Sequence, residues 1–375
     1  MHVLLHIRGN AESKPGGDYN LLKSFAGLLR QRGHQADITL DCAASLTGYD
    51  AVLSINLDSP YEPALMLDRA QRQGVPLCLY CLHHPLPAFA AYLRHGSTGA
   101  RRLAAALSGC DPQRYLGLLA VPRVLLAGPE RWRCWRALNT RRLQERLLTG
   151  AAAVLVSSRL EREQIIADLP GCAEQARFAV VPHVFESPPA GHQEKDRSLI
   201  VCPGRIESRK NQLTILAIVE RFPRHRFVFV GGLNPAERGY CRRFQAAISR
   251  SANASHVGGM DLAGFRALIR TAVVVVSASW FEVVSLSELD ALAQGCRLVA
   301  GCNSYLREFT TRRVAFFDPA SQESLADSLS RTIAYIEEGD REAGGSPAGL
   351  QEMEPDTVAR SLEDALQGAI KGRSP

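Results

Sequence analysis

Two groups of charged residues in the second half of the chain suit a phosphorylated, hydroxyl-rich ligand. Arg205 and Lys210 lie five residues apart, directly after Gly204 and an apolar run. Glu282 and Asp290 lie eight residues apart, across a predicted loop-to-helix junction. Guanidinium and ammonium groups bind phosphate oxygens, and carboxylates accept hydrogen bonds from neighbouring hydroxyls. Together these are the groups needed to hold a sugar nucleotide.

The two cations could act on the reaction as well as on binding. A glycine directly after a strand lets a ligand approach the backbone closely. A departing diphosphate gains negative charge, so Arg205 and Lys210 would stabilise the transition state more than the ground state. The alternative interpretation is a solvated basic turn ahead of a helix.

The acidic pair follows a predicted buried strand. Four consecutive valines, residues 273–276, indicate a strand of a parallel sheet with both faces covered. Ligands of such sheets bind beyond the carboxyl ends of the strands, at helix N-termini. The backbone amides of Val284, Ser285 and Leu286 are therefore expected to meet a phosphate. Alternatively, the acids at the start of this helix only stabilise its dipole.

The bulk composition predicts a two-domain protein that folds without structural metal. The chain has 375 residues, of which 46% are hydrophobic and 22% charged. No run approaches the roughly 18 apolar residues of a membrane span, and the N-terminus resembles a strand, not a signal peptide. The ten cysteines are scattered, as in a reduced cytoplasmic protein. Cys78 and Cys81 lie in an apolar strand pattern, facing opposite sides, so no zinc site is expected.

Short apolar strands alternate with helical patterns, which predicts an α/β fold of two doubly wound domains with a ligand cleft between them. The segment 185–196, rich in proline and polar residues, is predicted to link the domains. The predicted strands are 2–7, 35–39, 51–56, 77–82, 153–157 and 178–181, then 198–202, 226–230, 273–277 and 297–300. The predicted helices are 19–31, 321–338 and 357–370, with others starting near 211, 237 and 287.

The second half resembles the C-terminal domain of retaining glycosyltransferases of family 4, which have the two-domain GT-B fold. The resemblance lies in Gly204, Arg205 and Lys210, and in Glu282 and Asp290, the latter followed by Ala-Leu-Ala-Gln-Gly. It implies that the cations bind the donor diphosphate, that Glu282 binds the transferred sugar and that Asp290 binds the ribose. The stretches at 229–232 and 257–260 resemble those that line the nucleotide base, which adds Gly259 and Met260 to the predicted donor site.

The first half is similar to the same family at two places. Gly16 and Gly17 belong to a glycine-rich loop, residues 14–18, which in the family faces the donor phosphate and sugar. His83 and His84 stand where the family has a histidine near the reacting sugar. Adjacent residues cannot both point into a cleft, so His84 is the predicted catalytic group and His83 lies on the acceptor and sugar side. Burial with satisfied hydrogen bonds is the alternative for this pair.

A basic segment separates the two regions of resemblance. From Arg94 to Arg146 the chain has eleven arginines and three acids. Within it, Trp132, Trp135, Leu138, Leu143 and Leu147 recur at near-helical spacing between arginines. Such a helix could lie on an anionic membrane surface, which makes 94–148 a candidate membrane contact. A core-facing helix with a solvated outer face is the alternative, and nucleic acid is not an expected partner because no such fold signature accompanies the segment.

These observations favour a retaining, metal-independent glycosyltransferase without a cofactor. It would move a sugar from a UDP- or GDP-linked donor to a glycan or lipid-linked glycan. The protein would be cytoplasmic, or peripheral on the inner face of the cytoplasmic membrane. The predicted domains are 1–184, with 357–375 packing back on it, and 197–356. The alternatives are a nucleotide-sugar epimerase on the same fold and a non-catalytic relative that binds sugar nucleotide or glycan.

Overall fold

The computed structural model describes residues 1–13, 16–125, 139–188, 194–309, 313–338 and 348–372. Contacts between residues divide the chain into two units. Unit 1 comprises Met1–Leu86, Asp111–Glu186 and Glu352–Pro375, and unit 2 comprises Pro87–Cys110 and Ser187–Gln351. Among the described residues the helices are α1 (Gly17–Gln31), α2 (Tyr61–Gln73), α3 (Leu86–Ala91), α4 (Ala100–Leu107), α5 (Pro112–Leu125), α6 (Thr140–Gly150), α7 (Arg159–Asp168), α8 (Gln212–Leu216), α9 (Arg238–Ile248), α10 (Leu262–Thr271), α11 (Leu286–Ala293), α12 (Gln322–Glu337) and α13 (Pro355–Lys371).

Unit 1 is built on a parallel sheet whose strands all occur within two residues of the predicted bounds. The strands are β1 (His2–His6), β2 (Gln35–Thr39), β3 (Ala51–Ile55), β4 (Leu77–Tyr80), β5 (Ala153–Val156) and β6 (Phe178–Val180). Their order is β2-β1-β3-β4-β5-β6, and Val3 lies opposite both Ala36 and Ala51. Strands β3, β4 and β5 are buried along their whole length, as expected where helices cover both faces of a parallel sheet.

Two helices of unit 1 agree with the sequence pattern: α1 in where it ends, and α13 in the unit on which it packs. Helix α1 ends at a left-handed turn, with Gly33 at φ +82° and the His34 amide donating to Leu29 O at 3.0 Å. Helix α13 packs back on this unit at the end of the chain, where Glu363 contacts Arg32 and His34. The predicted return of the last helix to the N-terminal domain is therefore confirmed.

Unit 2 contains a second sheet of six parallel strands. They are β7 (Asp196–Pro203), β8 (Arg226–Val230), β9 (Ala254–Val257), β10 (Ala272–Ser277), β11 (Arg297–Gly301) and β12 (Val314–Phe317), in the order β12-β11-β10-β7-β8-β9. The valine-rich strand β10 is buried throughout, between β11 and β7, as predicted. The two edge strands were not predicted. Neither forms a fully buried run: β9 alternates half-buried and exposed residues, and three of the four residues of β12 are half-buried.

The segment Pro87–Cys110 follows β4 in sequence but packs within unit 2. The Tyr92 hydroxyl lies 2.8 Å from Ser208 Oγ. Gly96 packs so closely that a Cβ atom there would lie 2.4 Å from Trp280 Nε1. The strand and helix pattern of this segment carries no sign of these contacts, because its packing partners lie far along the chain.

The observed division therefore differs from the predicted domains at this segment, which was predicted to belong to residues 1–184. The passage into unit 2 after Glu186 falls within the predicted linker, 185–196, of which residues 189–193 lie outside the described residues. The chain returns to unit 1 at Glu352, five residues before the predicted position 357.

Replacing Gly231 by Ala should destabilise unit 2. Gly231 has φ +149°, and a Cβ atom there would lie 2.3 Å from Gly204 O, a backbone atom of the turn after β7. The conformational strain alone is worth about 1–3 kcal/mol, and the clash adds to it. Gly232→Ala is the matched control, because nothing lies within 4 Å of its Cβ position. Urea unfolding should show a lower midpoint for Gly231→Ala alone; equal midpoints would contradict the packing.

Candidate functional site

The structure brings Lys210 and Glu282 together at one edge of the unit 2 sheet. Lys210 Nζ lies 2.5 Å from Glu282 Oε1. The two residues follow β7 and β10, which are neighbours in the sheet, so their loops emerge side by side at the carboxyl ends of the strands. A backbone hydrogen bond from Trp280 N to Arg209 O, at 3.0 Å, also joins the loops.

Arg209 is a third member of this cluster that sequence reasoning did not identify. Its Nη1 lies 3.1 Å from Glu282 Oε1 and 3.2 Å from the carbonyl oxygen of Phe281. Burial would lower the pKa of Arg209, but the carboxylates of Glu282 and Glu207 outweigh it and raise this pKa. The sign of Arg209 in the sequence is that it is a basic residue directly beside Lys210. Its inward orientation is decided by the loop after β10, which carries Glu282.

The charge on Glu282 is stabilised by these cations. The residue is buried, which alone would raise the pKa of its carboxyl group. Arg209 and Lys210 outweigh the burial and hold the pKa below its ordinary value. The carboxylate therefore stays ionised at neutral pH and is an acceptor for hydrogen bonds from a ligand's hydroxyl groups.

Gly204 and Arg205 form the outer part of the same turn. Gly204 has φ +128°, and the methylenes of Lys210 lie 3.4–3.6 Å from where its Cβ would be, so the lysine stem passes over the glycine. The Arg205 side chain is 57% exposed, and its Nε lies 2.9 Å from the buried carboxylate of Glu207. Asn234 Nδ2 donates to the same Glu207 oxygen at 2.8 Å. Glu207 thus anchors Arg205 at its Nε while the end of the guanidinium reaches solvent.

The two acids of α11 occupy different environments. Asp290 is buried, and Arg266 Nε donates to its Oδ1 at 2.7 Å. Burial raises the pKa of Asp290, and the contact with Arg266 offsets part of that rise. Glu288 is also buried, accepts a hydrogen bond from Ser277 Oγ at 2.6 Å and has a pKa raised to about 7 by burial and by the charge of Glu282. Glu288 is thus a core acid beneath the cluster.

The remaining predicted donor residues lie at the same edge of the sheet. Helix α11 begins at Leu286, with Ser285 as its N-cap residue, so the amides of 284–286 precede or open its first turn. The turn after β9 carries Gly259, whose Cβ position is 3.8 Å from Gly232 N in the turn after β8. Met260 is exposed in that turn. The structure therefore groups all the predicted donor residues of unit 2 around the carboxyl ends of its strands.

In unit 1, His83 and His84 share one carboxylate. Asp58 Oδ1 lies 2.7 Å from His83 Nδ1, and Asp58 Oδ2 lies 2.7 Å from His84 Nδ1. His83 Nε2 lies 3.0 Å from Asp168 Oδ2. These two aspartates are distant from the histidines in the chain and carry no motif, so the sequence alone does not mark them.

Exposure separates the two histidines. The His83 side chain is fully buried and both its ring nitrogens contact carboxylates, whereas 27% of the His84 side chain is exposed. Burial would lower the pKa of His83, but Asp58 and Asp168 outweigh it and raise the pKa to about 10. His83 therefore has the buried, satisfied environment of the alternative interpretation, and His84 is the member of the pair that a ligand can reach.

Gly16 and Gly17 lie at the start of α1, after β1. A Cβ at Gly16 would lie 2.6 Å from Asp18 Oδ1 and 3.3 Å from Arg8 Nη2. Asp18 Oδ2 and Arg8 Nε are themselves 2.8 Å apart. The absence of a side chain at Gly16 thus leaves room for this ion pair beside the helix N-terminus. Residues 14 and 15 of the predicted glycine-rich loop lie outside the described residues.

Only part of the predicted basic helix is described. Trp132, Trp135 and Leu138 lie outside the described residues. In α6, Leu143 and Leu147 are buried in the core of unit 1, and Arg146 forms an ion pair with Asp68. The described part is thus a core-facing helix with a charged outer face. None of the helices described is both long enough and apolar enough to cross a membrane, and no group of His, Cys, Asp and Glu in the described residues could hold a metal ion.

Replacing Glu288 by Gln should flatten the dependence of stability on pH. The pKa of Glu288 is about 7 in the folded protein, against an ordinary value of 4.5. A raised pKa means that the protonated acid stabilises the fold fully below about pH 4.5, and that this contribution is lost as the pH rises through 7. The loss is on the order of 3 kcal/mol.

Urea unfolding at several pH values between 4.5 and 8 measures this effect. The wild type should lose stability with rising pH relative to Glu288→Gln, whose amide can still accept from Ser277. Glu220→Gln, at an exposed position, should follow the wild type. Parallel curves for wild type and Glu288→Gln would contradict the raised pKa.

Comparisons with known proteins identify the fold. No protein-family model matches the chain, and no curated protein matches it. Among solved structures, the Anabaena protein Alr3699/HepE in complex with UDP is 15% identical, with 98% of this chain and 100% of that chain covered and a TM-score of 0.68. Sucrose-phosphate synthase from Thermosynechococcus elongatus is 14% identical, with 99% and 97% covered and a TM-score of 0.61.

A third similar structure is the lipopolysaccharide outer core galactosyltransferase WaaB in its apo form. It is 11% identical, with 98% of this chain and 99% of that chain covered and a TM-score of 0.62. Identities this low establish a shared fold and no shared activity. The chain therefore has the GT-B fold, with two Rossmann-like domains that are each built on a six-stranded parallel sheet.

Proposed function

We propose that the protein is a glycosyltransferase that moves a sugar from a nucleotide-sugar donor to a hydroxyl of a glycan or lipid-linked glycan. One observation carries the proposal: an ionised, buried Glu282 held by Lys210 and Arg209, with Arg205 exposed on the same turn. This cluster combines an acceptor for sugar hydroxyls with cations for phosphate oxygens at the ligand-binding edge of a Rossmann-like sheet.

One of the similar proteins supports a uridine nucleotide as the donor's leaving group. Alr3699/HepE has been solved with UDP and with UDP-glucose, at 15% and 16% identity to this chain. Those ligands were bound to that protein, and the donor assignment for this chain rests on the matching fold and on its own cations. A UDP-linked sugar is thus the first donor to test, with a GDP-linked sugar as the second.

The predicted residues of unit 2 bind different parts of the donor in this proposal. Arg205 and Lys210 bind the diphosphate and stabilise the charge that develops as it departs. The amides at the start of α11 contribute to phosphate binding, and the turns that carry Gly232, Gly259 and Met260 line the base. Glu282 accepts hydrogen bonds from the transferred sugar.

Asp290 contacts the ribose, within an ion pair with Arg266 that fixes the direction of its carboxylate. In unit 1, His84 has the sugar-side role, because Asp58 orients its ring through Nδ1. Gly16 and Gly17 provide open backbone at the start of α1.

The proposed transfer retains the configuration at the anomeric carbon. The bond from that carbon to the diphosphate oxygen breaks, and a bond to the acceptor oxygen forms on the same face. The acceptor's proton passes to the departing phosphate oxygen. Arg205 and Lys210 supply the positive charge for the leaving group, and we therefore propose that transfer requires no metal ion.

Removing the Arg205 head group should lower turnover strongly with little effect on folding. Arg205→Ala should reduce kcat by roughly 10²- to 10³-fold, the scale of a lost electrostatic donor. Arg205→Lys should recover part of the rate because it keeps the charge, and the exposed Arg250→Ala should be unaffected. The assay follows release of UDP or GDP from a panel of sugar nucleotides, selected first by thermal shift.

Near-normal turnover in Arg205→Ala would contradict its role. A thermal shift with a sugar nucleotide, without transfer to any acceptor or any other turnover, would favour a non-catalytic binding relative. Interconversion of the donor sugar without transfer would favour an epimerase.

We also propose that the protein attaches to the inner face of the cytoplasmic membrane through part of 94–148. The described support is α4, where Leu103 is 65% exposed and Leu107 is 74% exposed beside the exposed Arg102. Exposed leucines next to arginines suit the boundary between lipid headgroups and acyl chains.

Replacing Leu103 and Leu107 by Ser should weaken membrane binding. Burial of one leucine contributes about 1.5–3 kcal/mol, so the double variant should partition at least about tenfold less. Co-sedimentation with phosphatidylglycerol-containing vesicles measures this, with the exposed Leu262→Ser as control. Binding that does not depend on anionic lipid would argue against attachment through α4. So would equal binding by the double variant and by Leu262→Ser.

A further inference from the structure

A basic cavity lies in unit 2 between the starts of α4 and α9. Its volume is about 760 Å³, and it is lined by residues 98–102, 235–240, 242 and 243. Apart from one tyrosine, its ionisable groups are five arginines and one glutamate: Arg101, Arg102, Arg238, Arg242, Arg243 and Glu237. A volume of this size is typical of sites for small ligands.

The arginines of this basic cavity are largely uncompensated. Arg102, Arg238 and Arg242 are exposed, and within the described part of the chain no carboxylate lies within ion-pair distance of any of the three. Arg243 is also exposed and stacks near the ring of Tyr240, at 5.9 Å. A concave wall that carries several cations concentrates positive potential and attracts anions.

Glu237 offsets the charge of only one of the five arginines, Arg101, with which it forms an ion pair. Its Oε1 accepts from Arg101 Nη1 at 2.6 Å, and its Oε2 accepts from the backbone amide of Ser208 at 2.9 Å. Glu237 is largely buried in the cavity wall and anchors Arg101, so one negative charge stands against five arginines.

The backbone at the rim adds to the attraction for anions. Helix α4 begins after Gly99, which has φ +58° and provides no side-chain cap. Helix α9 instead continues from a short 3-10 turn, Pro235–Glu237, in which the Asn234 side chain accepts from the Ala236 amide, so the uncapped start is that of α4. Uncapped N–H groups and the positive end of the helix dipole favour a negatively charged ligand. This contribution supplements the arginines.

The cavity wall is bonded directly to the turn that carries the proposed donor cations. Ser208, whose amide donates to Glu237, lies two residues before Lys210 and three after Arg205. Its hydroxyl is also 2.8 Å from the hydroxyl of Tyr92, in the segment that leads to α4. A ligand in the cavity would thus lie beside the proposed donor site and separate from it.

We propose that this basic cavity binds the phosphate or pyrophosphate group of the acceptor, an assignment that rests on the proposed function. The concave shape favours a compact anionic group over a flat bilayer surface. The arginines can form charge-assisted, bidentate hydrogen bonds with phosphate oxygens. The phosphate can belong to a soluble sugar phosphate or to a lipid-linked pyrophosphate, which share this chemistry.

Binding of inorganic pyrophosphate, measured by titration calorimetry, tests the site without relying on activity. The measurement uses Arg205→Gln protein, which weakens pyrophosphate binding by the donor turn. In that background, Arg238→Gln with Arg242→Gln should lower the affinity roughly 10- to 100-fold, since each charge-assisted hydrogen bond contributes about a tenfold factor. Arg224→Gln with Arg250→Gln, two exposed arginines outside the cavity, should change it less than twofold.

Equal affinities in the cavity variant and the control variant would overturn the proposal, as would absence of pyrophosphate binding in the Arg205→Gln protein. Circular dichroism confirms that both double variants fold. Arg102→Gln provides an independent variant on the other wall, and it should also weaken binding.

Two further arms identify the source of the phosphate and separate this proposal from the proposed function. Glucose 6-phosphate in solution and vesicles that carry a polyprenyl pyrophosphate are compared; preferential, arginine-dependent binding of either supports the site and names its source. Thermal shift by UDP should be equal in the cavity and control variants. If UDP binds but the cavity and control variants bind pyrophosphate equally well, only the cavity assignment falls. If UDP does not bind but the cavity variant binds pyrophosphate more weakly than the control variant, only the donor assignment falls.

Discussion

The ion pairs that Glu282 makes with Lys210 and Arg209 are the constraint on which the candidate site depends. A buried carboxylate without a partner is strongly destabilising, and removing one member of a buried pair is costly for the same reason. The partners of Glu282 come from the loop after β7, while Glu282 itself follows β10. The pairing of the buried Glu282 carboxylate with these cations therefore fixes the distance between the loops after β7 and β10 and their orientation.

The same constraint explains why Arg205 faces outward. Arg209 and Lys210 turn inward to meet Glu282, and Arg209 also lies 3.6 Å from Glu207. Glu207 anchors Arg205 at Nε alone, and the side chain stays 57% exposed. One turn of the chain thus combines two cations that pair with Glu282, of which Lys210 is also assigned to the diphosphate, with an outward cation, Arg205. Glu237 extends this arrangement, since it joins the Ser208 amide of the same turn to Arg101 at the basic cavity.

Unit 1 also contains a buried ionisable group with charged partners, a histidine between two carboxylates. His83 bridges Asp58 and Asp168, and the His83 amide donates to Glu161, which is itself buried. The preceding residue, Leu82, has a left-handed backbone at φ +52°, a conformation that costs free energy for a branched side chain. The hydrogen bonds of His83 offset this strain and present His84 at the surface of the loop.

Most of the fold could be predicted from the sequence because it depends on local patterns. Buried parallel strands such as β3 and β10 are continuous apolar runs, and Gly33 marks the end of α1. The strand β9 could not be predicted, since its sequence Ala-Ser-His-Val is that of a half-exposed edge. The order of strands and helices in the sequence groups Pro87–Cys110 with the first domain, whereas contacts with distant residues such as Trp280 group it with unit 2.

For the candidate site, the sequence by itself determined which residue types follow which strands. It placed Arg205 and Lys210 after one strand, Glu282 and Asp290 after another, and two histidines after β4. Only the tertiary structure decided the pairings: Arg209 with Glu282, Arg266 with Asp290, and Asp58 with both histidines. The physical reason is that a side chain's charge is read from its type, whereas its partner depends on which strands are neighbours and how deeply the group is buried.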